Sequence, residues 1–249
     1  PGKTEIGRYY QSEEYISHGA EKRDLMSRMY KLARFFSIRN KYRIVSKHCM
    51  PGKILDIGCG TGEFLGYCRT KGFDVTGVEP NEKARTFAQS QNELTVTEQL
   101  NLPGDNPGSY NCITMWHVLE HVHDLDETMD SIKTLLAPEG TFIVAVPNSN
   151  SWDASKFKSY WAAYDVPRHL YHFTENTFRE LAMRNGFEIL KIIPQKLDAY
   201  YVSMLSEKYL HGKNNYVKFL INGFLSNCKA KKGGKGHSSL IFILSPEKA

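Results

Sequence analysis

Hydrophobic and polar residues along the chain follow one rhythm up to about His48 and a different one after it. Leu25, Met29, Leu32 and Phe36, then Tyr42 and Val45, recur at three- and four-residue steps. That spacing predicts one or two basic amphipathic helices over 21–48. The turn signal "MPGK" closes the segment. From Lys53 short apolar runs alternate with helical patterns. "KILDIG" predicts a buried strand, "EFLGYCRTKG" a helix stopped by Gly72, "FDVTGVEP" a second strand and Asn81 to Gln89 a second helix. "ELTVT" is a weak third strand, and "YNCITMWHV" a strand rich in β-branched and aromatic residues. Asp124 then caps a helix that ends near "APEG", and "TFIVAVPN" is a fifth strand. Thr174 caps the helix "ENTFRELAMRNG", and "FEILKII" and "SLIFIL" bring the count to seven strands.

Strands and helices in this alternation predict an α/β fold, a mostly parallel sheet covered on both faces. Residues 1–48 read as an N-terminal lid and helical segment, and 49–249 as the main domain. Between the last two strands, 194–238 is long enough to need its own structure. It holds two apolar helical stretches, "DAYYVSMLSEKYL" and "NYVKFLINGFLSN", and then the basic loop "KAKKGGKGH". Those helices suit a wall of the substrate pocket, a dimer face or plain core. The basic loop reads as solvated.

With 249 residues and 41% hydrophobic content, the chain can bury one substantial core. No apolar run reaches membrane-spanning length, and no charged-then-apolar secretion signal opens the sequence. The five cysteines form no C-x-x-C pair, which predicts reduced thiols and a cytoplasmic protein. The net charge of +5 divides unevenly, as +6 over 1–50, −8 over 51–150 and +7 over 151–249. Solvated helix faces account for that pattern, although basic flanks also suit an acidic partner.

"ILDIGCGTGEFL" carries the strongest chemical signal. A buried strand runs into Gly58, Gly60 and Gly62, and a helix follows at once. Glycines there let a ligand press against main-chain atoms at the carboxyl end of the sheet. The second strand ends in Glu79, a carboxylate suited to the hydroxyls of a ribose. A dinucleotide fingerprint needs G-x-G-x-x-G. Here the third glycine comes one residue early, and Glu63 stands where the last glycine belongs. A carboxylate beside that helix start repels a pyrophosphate. The pattern suits a ligand with one ribose and no phosphate, and Asp56 is placed to meet a cationic amine directly or through water. S-adenosylmethionine has those parts.

"LDIGCGTGEFL", "VTGVEP", "YNCITMWHVLEHVHD" and "GTFIVAVPN" together resemble the class I S-adenosylmethionine-dependent methyltransferases over about residues 50–150. The resemblance is greatest to the subgroup of ubiquinone-biosynthesis O-methyltransferases. "RYYQSEEYISH" and "DVPRHLYHFT" are similar to bacterial members known only as carrying a methyltransferase domain. The resemblance implies a Rossmann-like, doubly wound, seven-stranded sheet with the last strand antiparallel. It implies that Gly58, Cys59 and Gly60 approach the methionine part of S-adenosylmethionine and that Asp56 orients its amine. By the same resemblance Glu79 holds the ribose, Pro80, Gln99 and Leu100 border the adenine, and Trp116 and His117 touch the amino-acid tail. Relatives carry an acid near Gln99 to meet the adenine amine; this chain offers Glu98 or Gln99 there.

"HVLEHVH" matches H-x-x-E-H, the inverted zinc-peptidase motif, with His117 and His121 four apart. That motif needs both histidines on one helix. Here it starts where a strand ends, so no metal is expected. His121 is instead a candidate base, with a brace for the loop as the plainer role. "YDVPRHLYHFT" adds His169 as a second candidate base and Tyr164, Arg168 and His172 as candidate substrate contacts. Its Asp165 is placed to hold His169 or Arg168. The N-terminal stretch offers Tyr10 and His18 as parts of a lid over the cofactor. The resulting expectation is a methyltransferase acting on a small-molecule acceptor, most readily a hydroxyl oxygen, as a monomer or homodimer. A nitrogen or carbon acceptor, a nucleic-acid substrate and a non-catalytic binding partner are the alternatives. Nucleic acid is disfavoured because "MWHVLEHV" stands where amino-methylating enzymes of that kind carry a proline-aromatic motif.

Overall fold

The computed structural model describes residues 2, 5, 6, 9, 25–100, 107–213, 215–232 and 235–247, with backbone alone for 25–33 and 231–232. The expected lid residues Tyr10 and His18 lie outside the described residues. Eight α-helices and seven strands follow one another among the described residues. They are α1 (Leu25–His48), β1 (Lys53–Ile57), α2 (Glu63–Arg69), β2 (Asp74–Val78), α3 (Glu82–Asn92), β3 (Thr95–Thr97), β4 (Tyr110–Trp116), α4 (Leu125–Leu135), β5 (Leu136–Pro147), α5 (Trp152–Phe157), α6 (Glu175–Arg184), β6 (Phe187–Pro194), α7 (Asp198–His211), α8 (Tyr216–Lys232) and β7 (Ser239–Pro246).

The sheet order is β3-β2-β1-β4-β5-β7-β6. β1 runs parallel to both β2 and β4, and β7 runs antiparallel to β6. This is an α/β, Rossmann-like, doubly wound sheet with its last strand antiparallel. The order reverses at β1 and β4, and an open α/β sheet binds its ligand at such a switch point. The caps read from the sequence at Asp124 and Thr174 hold, and Asn81, read as the first residue of its helix, is a cap as well. Asn81 accepts from Ala84 N at 3.1 Å, Asp124 from Glu127 N at 3.0 Å, and Thr174 from Thr177 N at 3.2 Å.

Elements differ from expectation at three places. β5 starts at Leu136, so the "APEG" stretch is strand rather than turn; Leu136 is buried and holds that end of the strand down. α8 continues through Lys229 to Lys232, where the sequence suggested a loop. Lysine and alanine favour helix, and the first breaker is Gly233. The short α5 and two single 3-10 turns, Lys158–Tyr160 and Ala162–Tyr164, fill a stretch that gave no periodic signal.

The chain packs as two compact units, Pro1–Met115 with Asp130–Ile143, and Trp116–Met129 with Val144–Ala249. In the first, Ile54 and Leu55 of β1 and Leu65 and Cys68 of α2 are fully buried. In the second, Phe157, Trp161 and Ala162 cluster with Val202 of α7. Asp153 lies at the bottom of that second core. It accepts hydrogen bonds from Trp161 Nε1 at 2.9 Å, Ser226 Oγ at 2.9 Å and Ser238 Oγ at 2.7 Å. One carboxylate thereby ties α5, the turn after it, α8 and the start of β7. Replacing Asp153 by Ala would leave three buried donors without their acceptor, each at about 1–3 kcal/mol. Urea unfolding of Asp153→Ala is expected to show a loss of about 3–5 kcal/mol, with a smaller loss for Asp153→Asn.

Candidate active site

In the first unit the chain leaves β1 through a corner built almost entirely of main chain. Gly58, Gly60 and Gly62 have φ of 76°, 56° and 79°, values that side-chain-bearing residues rarely adopt. Two of them differ in what surrounds them. A Cβ on Gly62 would stand 2.4 Å from Leu94 Cδ1 and 3.1 Å from Ala88 Cβ, so this glycine lets α2 start against α3. A Cβ on Gly60 would meet nothing within 4 Å, so this glycine borders open space that a ligand can enter.

Glu79, at the end of β2, clips that corner in place. Its Oε2 accepts from Gly60 N and its Oε1 from Asn81 N, each at 2.8 Å. Burial pushes the Glu79 carboxyl up, and the two main-chain bonds pull the other way. Behind it, Arg85 Nη1 donates to the carbonyls of Glu79 at 2.7 Å and Pro80 at 2.9 Å. Arg85 also pairs with Glu98 at 3.3 Å, so Glu98 already has a cationic partner. Gln99 and Pro80 are exposed and Leu100 half-buried; Gln99 O accepts from Thr97 Oγ1 at 2.9 Å.

Asp56, one residue before the end of β1, is 3% exposed. Thr114 Oγ1 on β4 donates to it at 2.6 Å. Burial raises its carboxyl to about 7, against the pull of Lys41 and the Thr114 bond. Cys59, between the glycines, is pushed far above the usual thiol range by burial and by the charges of Asp56 and Glu79. It stays a neutral thiol. Arg34 of α1 reaches the other side of the corner, donating to Thr61 Oγ1 at 3.0 Å and pairing with Glu63.

In the second unit the short segment after β4 gathers histidines and carboxylates. His117 has φ of 58°, and its N donates to Ala145 O at 3.0 Å. That left-handed residue breaks the helical register which a zinc-peptidase motif requires, and 119–121 forms only one 3-10 turn. His117 instead sits between two carboxylates, with Nε2 2.9 Å from Asp198 Oδ2 and Nδ1 3.4 Å from Glu120 Oε1. Burial works against a charge on this ring. Asp198 and then Glu120 overcome it and raise His117 to about 10. Burial likewise raises Glu120 and Asp198, but the His117 imidazolium beside them holds both below the usual carboxylate range. Glu120 is 1% exposed, and among the described residues neither of its oxygens accepts a hydrogen bond.

His121 and His169 come together from segments far apart in sequence, with ring centroids 4.5 Å apart and planes at 80°. His121 Nδ1 lies 3.0 Å from Arg168 O, and His169 Nδ1 lies 2.8 Å from Ala163 O. A carbonyl only accepts, so each Nδ1 is the protonated nitrogen and Nε2 is the acceptor end of the neutral ring. Burial lowers His169, which favours its neutral form. Arg168 Nη2 donates to Asp165 Oδ1 at 2.6 Å, and Asp165 Oδ2 lies 3.7 Å from His169 Nε2. Asp165 is therefore bonded to Arg168, while its other oxygen stays beyond hydrogen-bond reach of His169. Tyr164 stacks edge-on against Trp161 and His172, each at 5.1 Å, and His172 Nε2 donates to Tyr164 O at 2.9 Å. Trp116 is buried at the end of β4. Among the described residues, Glu120, His121 and His169 offer ligand atoms within 4.8 Å of one another, a set able to hold a metal ion. The zinc motif pointed instead to His117 with His121.

Three contributors escaped the sequence reading. Thr114 looked like an ordinary β-branched strand residue. Arg34 lay on a helix that read as a solvated basic face. Asp198 opens a segment read as apolar, and its one signal was an acid where lysines otherwise dominate.

Comparisons with known proteins agree with this geometry. A family described as "Methyltransferase domain" matches residues 28–192. Ubiquinone biosynthesis O-methyltransferase from Vibrio campbellii is 27% identical over 184 residues, covering 68% of this chain and 76% of that protein. Putative methyltransferase YqeM of Bacillus subtilis is 33% identical over 107 residues, covering 39% of this chain and 43% of that one. Among solved structures, magnesium protoporphyrin IX methyltransferase from Synechocystis PCC 6803 superposes with a TM-score of 0.62 at 16% identity, covering 99% of this chain and 100% of that chain. A SAM-dependent methyltransferase from Archaeoglobus fulgidus gives a TM-score of 0.59 at 20% identity, covering 85% of this chain and 93% of that chain.

The His117–Asp198 pair makes a direct prediction. Its contribution to stability is full below the ordinary histidine value of 6.5 and is lost as pH rises through about 10. In an NMR titration the His117 ring of the native protein should stay protonated through neutral pH. In Asp198→Asn its midpoint should fall, and an unchanged midpoint would show that Asp198 does not hold the charge.

Proposed function

The chain belongs to the methyltransferase-domain family, the class I S-adenosylmethionine-dependent methyltransferases, and from that premise we propose that it methylates a hydroxyl oxygen of a small molecule. S-adenosylmethionine is its methyl donor. When bound, that cofactor supplies an electrophilic methyl on a sulfonium, which leaves as a neutral thioether. The protein then has to align the partners, exclude water and remove the acceptor's proton.

The first unit carries features that fit the donor. Gly58, Cys59 and Gly60 line the main-chain corner, with open space beyond Gly60. Asp56 would meet the donor's amine and Glu79 its ribose hydroxyls. Pro80, Gln99 and Leu100 would border the adenine. Glu79 keeps the corner's shape through its two main-chain bonds, and a carboxylate has lone pairs left for a ribose. Since Glu98 is paired with Arg85, Gln99 is the better partner for the adenine amine.

The observation that carries the hydroxyl assignment is the His121–His169 pair. Both rings have Nδ1 tied to a carbonyl and therefore Nε2 set as acceptor. A ring nitrogen set in that way can take the acceptor's proton. His117 is held charged and does not serve as the base. Tyr164, Arg168 and His172 are the proposed acceptor contacts. The hydroxyl-methylating relatives support the same reading. The described residues contain no helix long and apolar enough to cross a membrane. The five cysteines are all free, which supports a cytoplasmic enzyme.

Calorimetric titration tests the donor site. Glu79→Ala should weaken S-adenosylmethionine binding by about 1–3 kcal/mol, and unchanged affinity would remove Glu79 from the ribose. Because the free Asp56 carboxyl titrates near about 7, an amine that binds its anion should bind more tightly as pH climbs. That slope should vanish in Asp56→Asn. A flat profile in the native protein would take Asp56 away from the amine. For the acceptor, transfer of labelled methyl into a metabolite extract should fall about 10²–10⁴-fold in His169→Gln or His121→Gln with donor binding intact. An undiminished rate in both variants would rule out these bases.

A further inference from the structure

Helix α8 is built inside out. The residues it buries are Asn222, Gly223 and Ser226. Each buried polar group is answered within the same unit: Asn222 Nδ2 donates to Glu207 Oε1 at 2.7 Å and Ser226 Oγ to Asp153 Oδ1 at 2.9 Å. A Cβ on Gly223 would stand 2.9 Å from Tyr200 Cα, so α7 and α8 meet backbone to backbone there. The outward face carries Tyr216, Val217, Leu220, Ile221 and Phe224, each more than half exposed. Their spacing makes a continuous stripe along one side of a helix. Tyr201 and Tyr209 of α7 are exposed to the same degree. A contiguous apolar surface of this kind marks a binding face.

The charge around the stripe has one sign. Residues 196–232 contain seven lysines and two acids. Both acids are occupied, Asp198 with His117 at 2.9 Å, and Glu207 with Asn222 at 2.7 Å and His211 at 3.4 Å. Lys208, Lys213, Lys218 and Lys229 are exposed. A second copy of the chain, packed across a two-fold axis, would set this lysine rim against itself. An anionic lipid surface answers both features, since apolar side chains enter the headgroup boundary while lysines reach the phosphates. A tyrosine at the edge of the stripe suits that boundary as well.

We propose that the α7–α8 hairpin docks on an anionic lipid bilayer, with the Tyr216-to-Phe224 stripe lying in its surface and the surrounding lysines over the headgroups. The helix lies on the membrane and does not cross it. The inference requires no particular methyl acceptor.

Vesicle sedimentation of the full chain tests it, using phosphatidylcholine vesicles and mixed phosphatidylcholine–phosphatidylglycerol vesicles. The chain should pellet with the mixed vesicles, stay in solution with the neutral ones, and be released by salt. Leu220→Glu/Phe224→Glu should stay in solution with both, while its thermal melting and donor binding match the native chain. Lys218→Gln and Lys213→Gln, which leave the stripe alone, should each weaken partitioning about fivefold, and they keep the test valid if the double variant misfolds. Failure to pellet with either vesicle would overturn the proposal, as would equal pelleting with both. Light scattering that gave twice the protomer mass for the native chain and the protomer mass for the double variant would assign the face to a dimer instead.

Discussion

Glu79 is 4% exposed at the end of β2, and its oxygens take the main-chain N–H groups of Gly60 and Asn81. A carboxylate buried that deeply must find donors or stay protonated. Here the donors come from the backbone of the corner after β1 and of the start of α3. The same contacts that satisfy the charge therefore fix the loop's shape. The glycines permit the corner, and the carboxylate selects one form of it. Arg85 holds the carbonyls of Glu79 and Pro80 from behind, and Arg34 holds Thr61 and Glu63 from the side. Pre-organisation of this kind lets a ligand bind without first ordering the chain.

Elsewhere the burial of charge is resolved differently. Asp56 has one hydroxyl donor and a distant lysine, so its acid form persists to about 7. His117 has two carboxylates and remains a cation. His121 and His169 have carbonyls at Nδ1 and so keep a basic nitrogen at Nε2. Histidines within one small region are thus set differently, His117 by two carboxylates and His121 and His169 by carbonyls. A neutral and a charged imidazole can coexist there because burial lowers His169 while Asp198 and Glu120 raise His117.

Much of the sheet could be read from the chain because its signals are local. Short apolar runs, the stop at Gly72 and the caps at Asp124 and Thr174 act within a few residues of where they stand. The glycine corner and Glu79 were legible for the same reason, since a strand end and a turn fix where they lie. The pairing of His117 with Asp198 was not, because the partners are far apart in sequence and nothing local marks Asp198. Arg34 was hidden by its setting among other basic residues on α1. Helix α8 misled in another way. Its amphipathic pattern was visible, but pattern alone cannot say which face turns inward when buried Asn222 and Ser226 find partners in Glu207 and Asp153.

The chain leaves the sheet and re-enters it at a single neck. Pro194 of β6 pairs with Leu240 of β7, and Gln195 N donates to Ser239 O at 3.0 Å. Everything between is an appendage whose two ends are already joined, so its length and sequence can change at little entropic cost to the sheet. Several threads run back from it, among them Asp198 to His117, Ser206 to Ala162 N, and Ser226 and Ser238 to Asp153. A lineage that exchanged this appendage for another would have to replace those attachments and the packing of Val202 on Phe157 and Trp161. The part of the molecule joined to the sheet at one neck is therefore also the part that reaches, through Asp198, to the charged ring of His117.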